Sequence, residues 1–155
     1  MSRTVHTAVI ADDEPLARAV IKAYLEDHPE VQVVAECGDG EAALGAVRMH
    51  RPDLLFLDVQ MPGRDGFAVL EDLAGAEKLP AVVFASAFDR YALRAFEASA
   101  VDYLLKPFDK PRFDKALARA LRLLNDQHCL RELLHTMHEA LELTRLELGA
   151  NGWLQ

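Results

Sequence analysis

A lysine and several acids stand where hydrophobic runs stop. Asp12-Asp13-Glu14 follows "TAVIA" (7–11), Asp58 ends "LLFLD", Ser86 ends "VVFAS", and Lys106-Pro107 ends "VDYLLKP". Three aspartates brought together would repel, and some would stay protonated unless a cation joined them. One ammonium does not balance three negative charges, whereas a hard divalent ion does. Oxygen ligands on a rim open to water suit Mg²⁺, which keeps several waters and uses few carboxylates. Mg²⁺, an ammonium, a hydroxyl and a spare carboxylate together suit a phosphoryl group. Asp58 can then attack phosphorus as a carboxylate nucleophile, giving an acyl phosphate. Lys106 and Mg²⁺ would neutralise the equatorial oxygens, so positioning and electrostatics carry the rate. Each residue alone also has a plain structural reading. "ADD" can cap a helix, Asp58 can shape a turn, Ser86 can cap, and Lys106 can snorkel. Placement of all of them at one rim is what disfavours those readings.

The elements that must build this rim alternate. "TAVIA" is a continuous β-rich run, which predicts a strand buried on both faces. "EPLARAVIKAYLEDH" (14–28) has apolar residues at helical spacing and ends before Pro29. The pattern continues with strands over 31–37, 53–59, 80–87 and 101–107, and helices over 41–50, 67–74, 89–99 and 111–124. Five β-α units with short right-handed connections predict a parallel sheet with helices on both faces. Ligands of such sheets bind beyond the carboxyl ends of the strands, where strand order reverses.

The motifs "IADDEP", "LFLDVQMPGRDG", "VVFASA" and "DYLLKPF", in that order and spacing, resemble the receiver domain of two-component response regulators over residues 7 to about 124. The resemblance implies a flavodoxin-like (βα)5 doubly wound sheet with strand order 2-1-3-4-5. It implies Asp58 as phosphoacceptor, with Mg²⁺ held by Asp13, Asp58 and the backbone carbonyl of Gln60, and by Asp12 through water. It further implies Ser86 as switch hydroxyl, Lys106 as the phosphate's cation, a cis Lys106–Pro107 peptide and a histidine kinase as phosphodonor. Tyr103 matches the aromatic switch position, expected to rotate inward as Ser86 moves. Phe88, with Gln60 opposite, suggests slow dephosphorylation. The stretch "ASAFDRYALRAFEASAVDYLLKPFDKPRF" resembles the LytTR-type subfamily, whose members continue into a β-rich DNA-binding domain. The expectation is therefore either a truncated chain with transcriptional output in the full-length protein, or a stand-alone receiver.

Charge and composition narrow the alternatives. Residues 1–110 hold 19 acids and 11 Lys or Arg, while residues 111–155 hold six of each. An acidic body without a basic stripe argues against nucleic-acid binding by this chain itself. No apolar stretch approaches the ~18 residues of a membrane span. Cys37 and Cys129 have no motif spacing and read as reduced thiols of a cytoplasmic protein. Arg90, Arg94, Asp102, Asp109, Lys110 and Arg112 are expected on a mixed-sign face of the fourth helix, fifth strand and fifth helix, which can pair with its own copy.

The expected domains are a receiver over 1–125, a helical extension or linker over 126–148, and a tail over 149–155 with Gly149 as helix cap. Phe113, Ala116, Ala120, Leu123, Gln127, Leu130, Leu134, Met137, Leu141, Thr144 and Leu148 alternate three and four apart, a heptad seam suited to a two-stranded coiled coil. Asp126 and Arg131 can pair across it. His128, His135 and His138 read as scattered surface residues. Two rival functions remain open: a receiver-like interaction module that never sees phosphate, and an aspartyl-phosphate phosphatase. The phosphatase would need its nucleophile on the first strand and a cap insertion, and neither is visible.

Overall fold

Continuous hydrophobic runs become central strands. The computed structural model describes residues 4–150. Five strands, β1 (His6–Ala11), β2 (Val31–Cys37), β3 (Leu54–Asp58), β4 (Ala81–Ser86) and β5 (Asp102–Leu105), form one parallel sheet in the order β2-β1-β3-β4-β5. Between and after them run α1 (Pro15–Leu25), α2 (Gly40–His50), α3 (Gly66–Leu73), α4 (Ala92–Glu97) and α5 (Lys110–Ala150). This is the flavodoxin-like arrangement. The order reverses between β1 and β3, so their carboxyl ends flank the natural crevice.

Alternating side chains give the sheet two apolar faces. On one, Val9, Leu55, Leu57 and Phe84 pack with Ala43, Leu44 and Val47 of α2, Phe67 and Val69 of α3, and Ala95 of α4. On the other, Phe56 stacks on Phe113 of α5 at 5.5 Å between centroids, and Phe113 in turn meets Tyr24 of α1 at 5.5 Å. Phe56 and Phe113 are both fully buried, each contributing about 1.5–3 kcal/mol by apolar burial.

Local chemistry sets the helix starts. The Asp39 carboxylate accepts the Ala42 N–H at 2.7 Å, and the Asp65 carboxylate accepts the Ala68 N–H at 2.8 Å, capping α2 and α3. Pro15 opens α1 at a position where a missing N–H costs nothing.

Most element ends shift by one to three residues from the sequence reading, and three differences bear on the site and the C-terminal helix. The helix expected over 89–99 is a 3-10 turn at Asp89–Tyr91 followed by the short α4. The fifth strand is shorter than expected, because its continuation is Lys106 and a proline that donates no ladder bond. The helix expected to end near 124 is part of α5, whose span also contains Gly149. The tail 151–155 lies outside the described residues.

The chain divides into two compact units, Met1–Leu121 and Arg122–Gln155. The second is helix over its described residues, with Leu130, Leu134, Met137 and Leu141 all more than half exposed. His128–Glu132 and His135–Glu139 make i,i+4 pairs at 2.9 and 3.0 Å.

Candidate functional site

Register brings the motif residues together. Ala11 of β1 pairs with Leu57 of β3, so Asp12 emerges beside Asp58; Asp58 pairs with Ala85, and Ser86 with Leu105, so Ser86 and Lys106 follow at the same rim. The Lys106 N–H donates to the Ser86 carbonyl at 2.7 Å, tying the last two strand ends. The Lys106–Pro107 peptide is cis.

Lys106 meets several anions. Its Nζ lies 2.7 Å from Asp12 Oδ2, 3.3 Å from Asp58 Oδ2 and 3.7 Å from Glu14 Oε1. Asp12 and Asp58 are only 1% and 5% exposed, and Ser86 1%. Burial, followed by the neighbouring charge of Asp12, pushes the Asp58 carboxyl up to about 6, against the pull of Lys106. Burial alone would lower the Lys106 ammonium, but Asp12 and Asp58 hold it above its ordinary value. Asp58 Oδ1 accepts the Gln60 N–H at 3.2 Å, and Asp12 Oδ1 accepts the Glu14 N–H at 2.9 Å. Arg18 reaches over from α1 to donate to the Asp12 carbonyl at 2.6 Å.

The residues fit a hard divalent cation. One carboxylate oxygen from each of Asp12, Asp13, Glu14 and Asp58 falls within 4.8 Å of the others. Asp12 Oδ2 is buried and in ionic contact with Lys106 but has no aligned hydrogen bond, so it keeps unused acceptor capacity. An all-oxygen donor set of this kind suits Mg²⁺. Glu14 joins the cluster although the expected ligand set omits it.

Ser86 and Tyr103 converge on the backbone of one residue, Phe88, in the loop after β4. The Ser86 hydroxyl accepts the Phe88 N–H at 3.1 Å, and the Tyr103 hydroxyl donates to the Phe88 carbonyl. Tyr103 is already inside, at 8% exposed and 6.5 Å from the Phe84 ring. Opposite Gln60 stands Tyr91 rather than Phe88: the Gln60 side-chain amide donates to the Tyr91 hydroxyl at 3.2 Å. Phe88 instead lies edge-on to Tyr91, with the Arg90 guanidinium over its ring at 4.4 Å. An aromatic beside a helix reads in sequence as core packing, so nothing marked Tyr91. Glu14, by contrast, sits in the visible "DDE" run.

The expected mixed-sign face needs correction at Asp102. Asp102 is 2% exposed, bonded by Arg112 at 2.8 and 3.0 Å and by Arg119 at 3.1 Å. Lys110 pairs with Asp114 and Asp27, and Arg94 stacks over the Phe67 ring at 4.1 Å. A buried strand cannot leave a carboxylate without partners, so Asp102, Arg112 and Lys110 are matched within the chain. Beside the exposed Arg90, Arg94 and Asp109, the face also exposes apolar Leu93, Phe96 and Leu105.

Comparison with known proteins agrees with the fold and the motif set. The family described as "Response regulator receiver domain" matches residues 8–118. The chain is 46% identical over 111 residues to the transcriptional regulatory protein BtsR of Escherichia coli, covering 72% of this chain and 46% of BtsR. It is 40% identical over 131 residues to the sensory transduction protein LytT of Bacillus cereus, covering 84% and 51% respectively. The chain thus spans about half the length of the curated relatives it matches. Among solved structures, the REC domain of AraT, a response regulator from Geobacillus stearothermophilus, superposes with a TM-score of 0.70 at 35% identity, covering 80% of this chain and 99% of that one.

Proposed function

Because the chain belongs to the response regulator receiver domain family, we propose that it is a phosphorylation-dependent switch that accepts a phosphoryl group on Asp58 from a histidine kinase. The observation that carries this reading is the closed cluster at the rim, with Lys106 bridging Asp12 and Asp58 beside the buried Ser86. Asp58 attacks phosphorus as the bond from phosphorus to the donor histidine nitrogen breaks, and Lys106 neutralises one side of the transferred group. Asp13, Asp58 and the Gln60 carbonyl would hold Mg²⁺, with Asp12 acting through water. When bound, the ion supplies electrostatic stabilisation of the phosphoryl oxygens.

The donor histidine must approach from outside. A groove of about 320 Å³, lined by Leu16, Val20, Tyr24, Pro107 and Phe108, opens onto Asp12 and Lys106. Its apolar wall, with Leu16 largely exposed, suits an amphipathic helix of the kinase.

After transfer, Ser86 and Tyr103 carry the signal. The phosphoryl group brings close to two negative charges and new acceptor oxygens. Ser86 turns its hydroxyl to it and gives up the Phe88 N–H. Of the two side-chain bonds to the Phe88 backbone, only the one from Tyr103 to its carbonyl then remains, and the loop leading to α4 shifts in population. Dimerisation through the α4-β5-α5 face or the C-terminal helix, and transcriptional output of a full-length protein, complete the reading. BtsR, a transcriptional regulatory protein, supports that output.

Incubation with labelled acetyl phosphate tests the proposal. Wild-type protein should take up one phosphoryl group only when Mg²⁺ is supplied, and Asp58→Asn none. A wild type that remains unlabelled with Mg²⁺ would overturn the reading. Sustained turnover of p-nitrophenyl phosphate would instead favour the phosphatase.

A further inference from the structure

Gln60 lies two residues after Asp58, and its backbone N–H is bonded to that carboxylate. Its side chain is not free. The amide donates to the Tyr91 hydroxyl at 3.2 Å, and the same hydroxyl accepts from Arg90 at 3.0 Å. Tyr91 is itself fixed by aromatic contacts, 6.2 Å from the Phe67 ring and 6.3 Å edge-on to Phe88. The Arg90 guanidinium covers both Phe88 and Tyr91. Between the β3–α3 loop and the 3-10 turn is a cavity of about 340 Å³, lined by Asp13, Gln60, Met61, Asp65 and Tyr91. That is room for several waters, at roughly 30 Å³ each.

A glutamine amide beside a phosphoryl group is a competent aligner of attacking water. Here the amide is engaged elsewhere. We propose that Tyr91 sets the lifetime of the acyl phosphate, by tethering the Gln60 amide so that it does not orient water at phosphorus. This rests on the assignment of Asp58 as phosphoacceptor.

The step under control is hydrolysis. A water oxygen bonds to phosphorus, and the bond from phosphorus to the Asp58 oxygen breaks with its electron pair returning to the carboxylate. The water's proton passes to the departing inorganic phosphate or to solvent. Tyr91 does not touch the reacting atoms; it is a positioning residue acting through Gln60.

The test uses the full chain and two readouts. In the unphosphorylated protein, Tyr91→Phe should shift the Gln60 side-chain amide resonances in a ¹⁵N spectrum while the backbone spectrum elsewhere stays as in wild type. In protein labelled from acetyl phosphate, Tyr91→Phe should accelerate loss of label about fivefold. In a Gln60→Leu background, the same Tyr91→Phe change should alter the decay by less than twofold. Unmoved amide resonances, or an acceleration that persists without the Gln60 amide, overturn the tether. Failure of the wild type to take label would strike the Asp58 assignment instead, and the amide spectrum would still decide whether the tether exists.

Discussion

Lys106 and Asp102 illustrate two opposite ways of keeping charge inside this protein. At the rim, Lys106 is the shared cation of Asp12 and Asp58. Removing one partner from such a buried group leaves uncompensated charge and costs about 3–5 kcal/mol. Lys106→Ala should therefore lower stability by about that amount in urea unfolding without added Mg²⁺, and Asp58→Asn in the same background should recover much of the loss. Asp58 has a raised carboxyl, about 6 against an ordinary 3.8. The native state thus binds this proton more readily than the unfolded chain. The cost of its charge is fully present above about pH 6 and is relieved as pH falls from there toward 3.8. Asp102 runs the other way. Burial alone would raise it, but Arg112, the Tyr103 N–H and Arg119 hold it below 3.8. It adds stability above pH 3.8, lost as pH falls through its depressed value. Asp102→Asn should cost about 1–3 kcal/mol at pH 7, in line with charged hydrogen bonds, and the gap to wild type should close below pH 3.8 in acid-unfolding curves.

At the scale of elements, the join from β3 to α3 leaves no room for a side chain at Gly66. The Gly66 N–H donates to the Val59 carbonyl at 2.8 Å. A Cβ on Gly66 would stand 2.5 Å from the Asp58 carbonyl oxygen, 3.1 Å from Phe84 and 3.2 Å from Leu57. Backbone cannot yield as a flexible side chain does, so Gly66→Ala should cost about 1–3 kcal/mol as overpacking. It should also slow label uptake, because the displaced oxygen belongs to the phosphoacceptor itself; a normal uptake rate would separate the glycine from the site. Elements with a strong period were readable: β2 begins and ends as its hydrophobic run does, and α2 and α3 start within one residue of the expected 41 and 67. The fourth helix was not. Its 3-10 start is shaped by Tyr91 packing on Phe67 and Phe88, which are distant in sequence or on the preceding loop.

For the whole molecule, the C-terminal helix carries an exposed apolar stripe. Leu130, Leu134, Met137 and Leu141 follow the heptad seam, while exposed Leu133, Leu143 and Leu146 widen it. If two copies meet along the seam, burying each such side chain contributes about 1.5–3 kcal/mol. Leu134→Asp with Met137→Asp should then weaken the dimer more than tenfold by sedimentation and leave the unfolding of residues 1–121 unchanged. An unaltered oligomeric state would assign dimerisation to the exposed Leu93, Phe96 and Leu105 instead. Sequence alone determined the alternation of strand and helix, the rim at the strand ends, and the identities of Asp12, Asp58, Ser86 and Lys106, because short-range periodicity and motif order encode them directly. Only the folded chain decided who pairs with whom. Lys106 bridging two acids, Asp102 drawn inside by two arginines, Tyr103 already packed inward, and Gln60 tied to Tyr91 all depend on side chains brought together across the sheet, where distance in space is unrelated to distance along the chain.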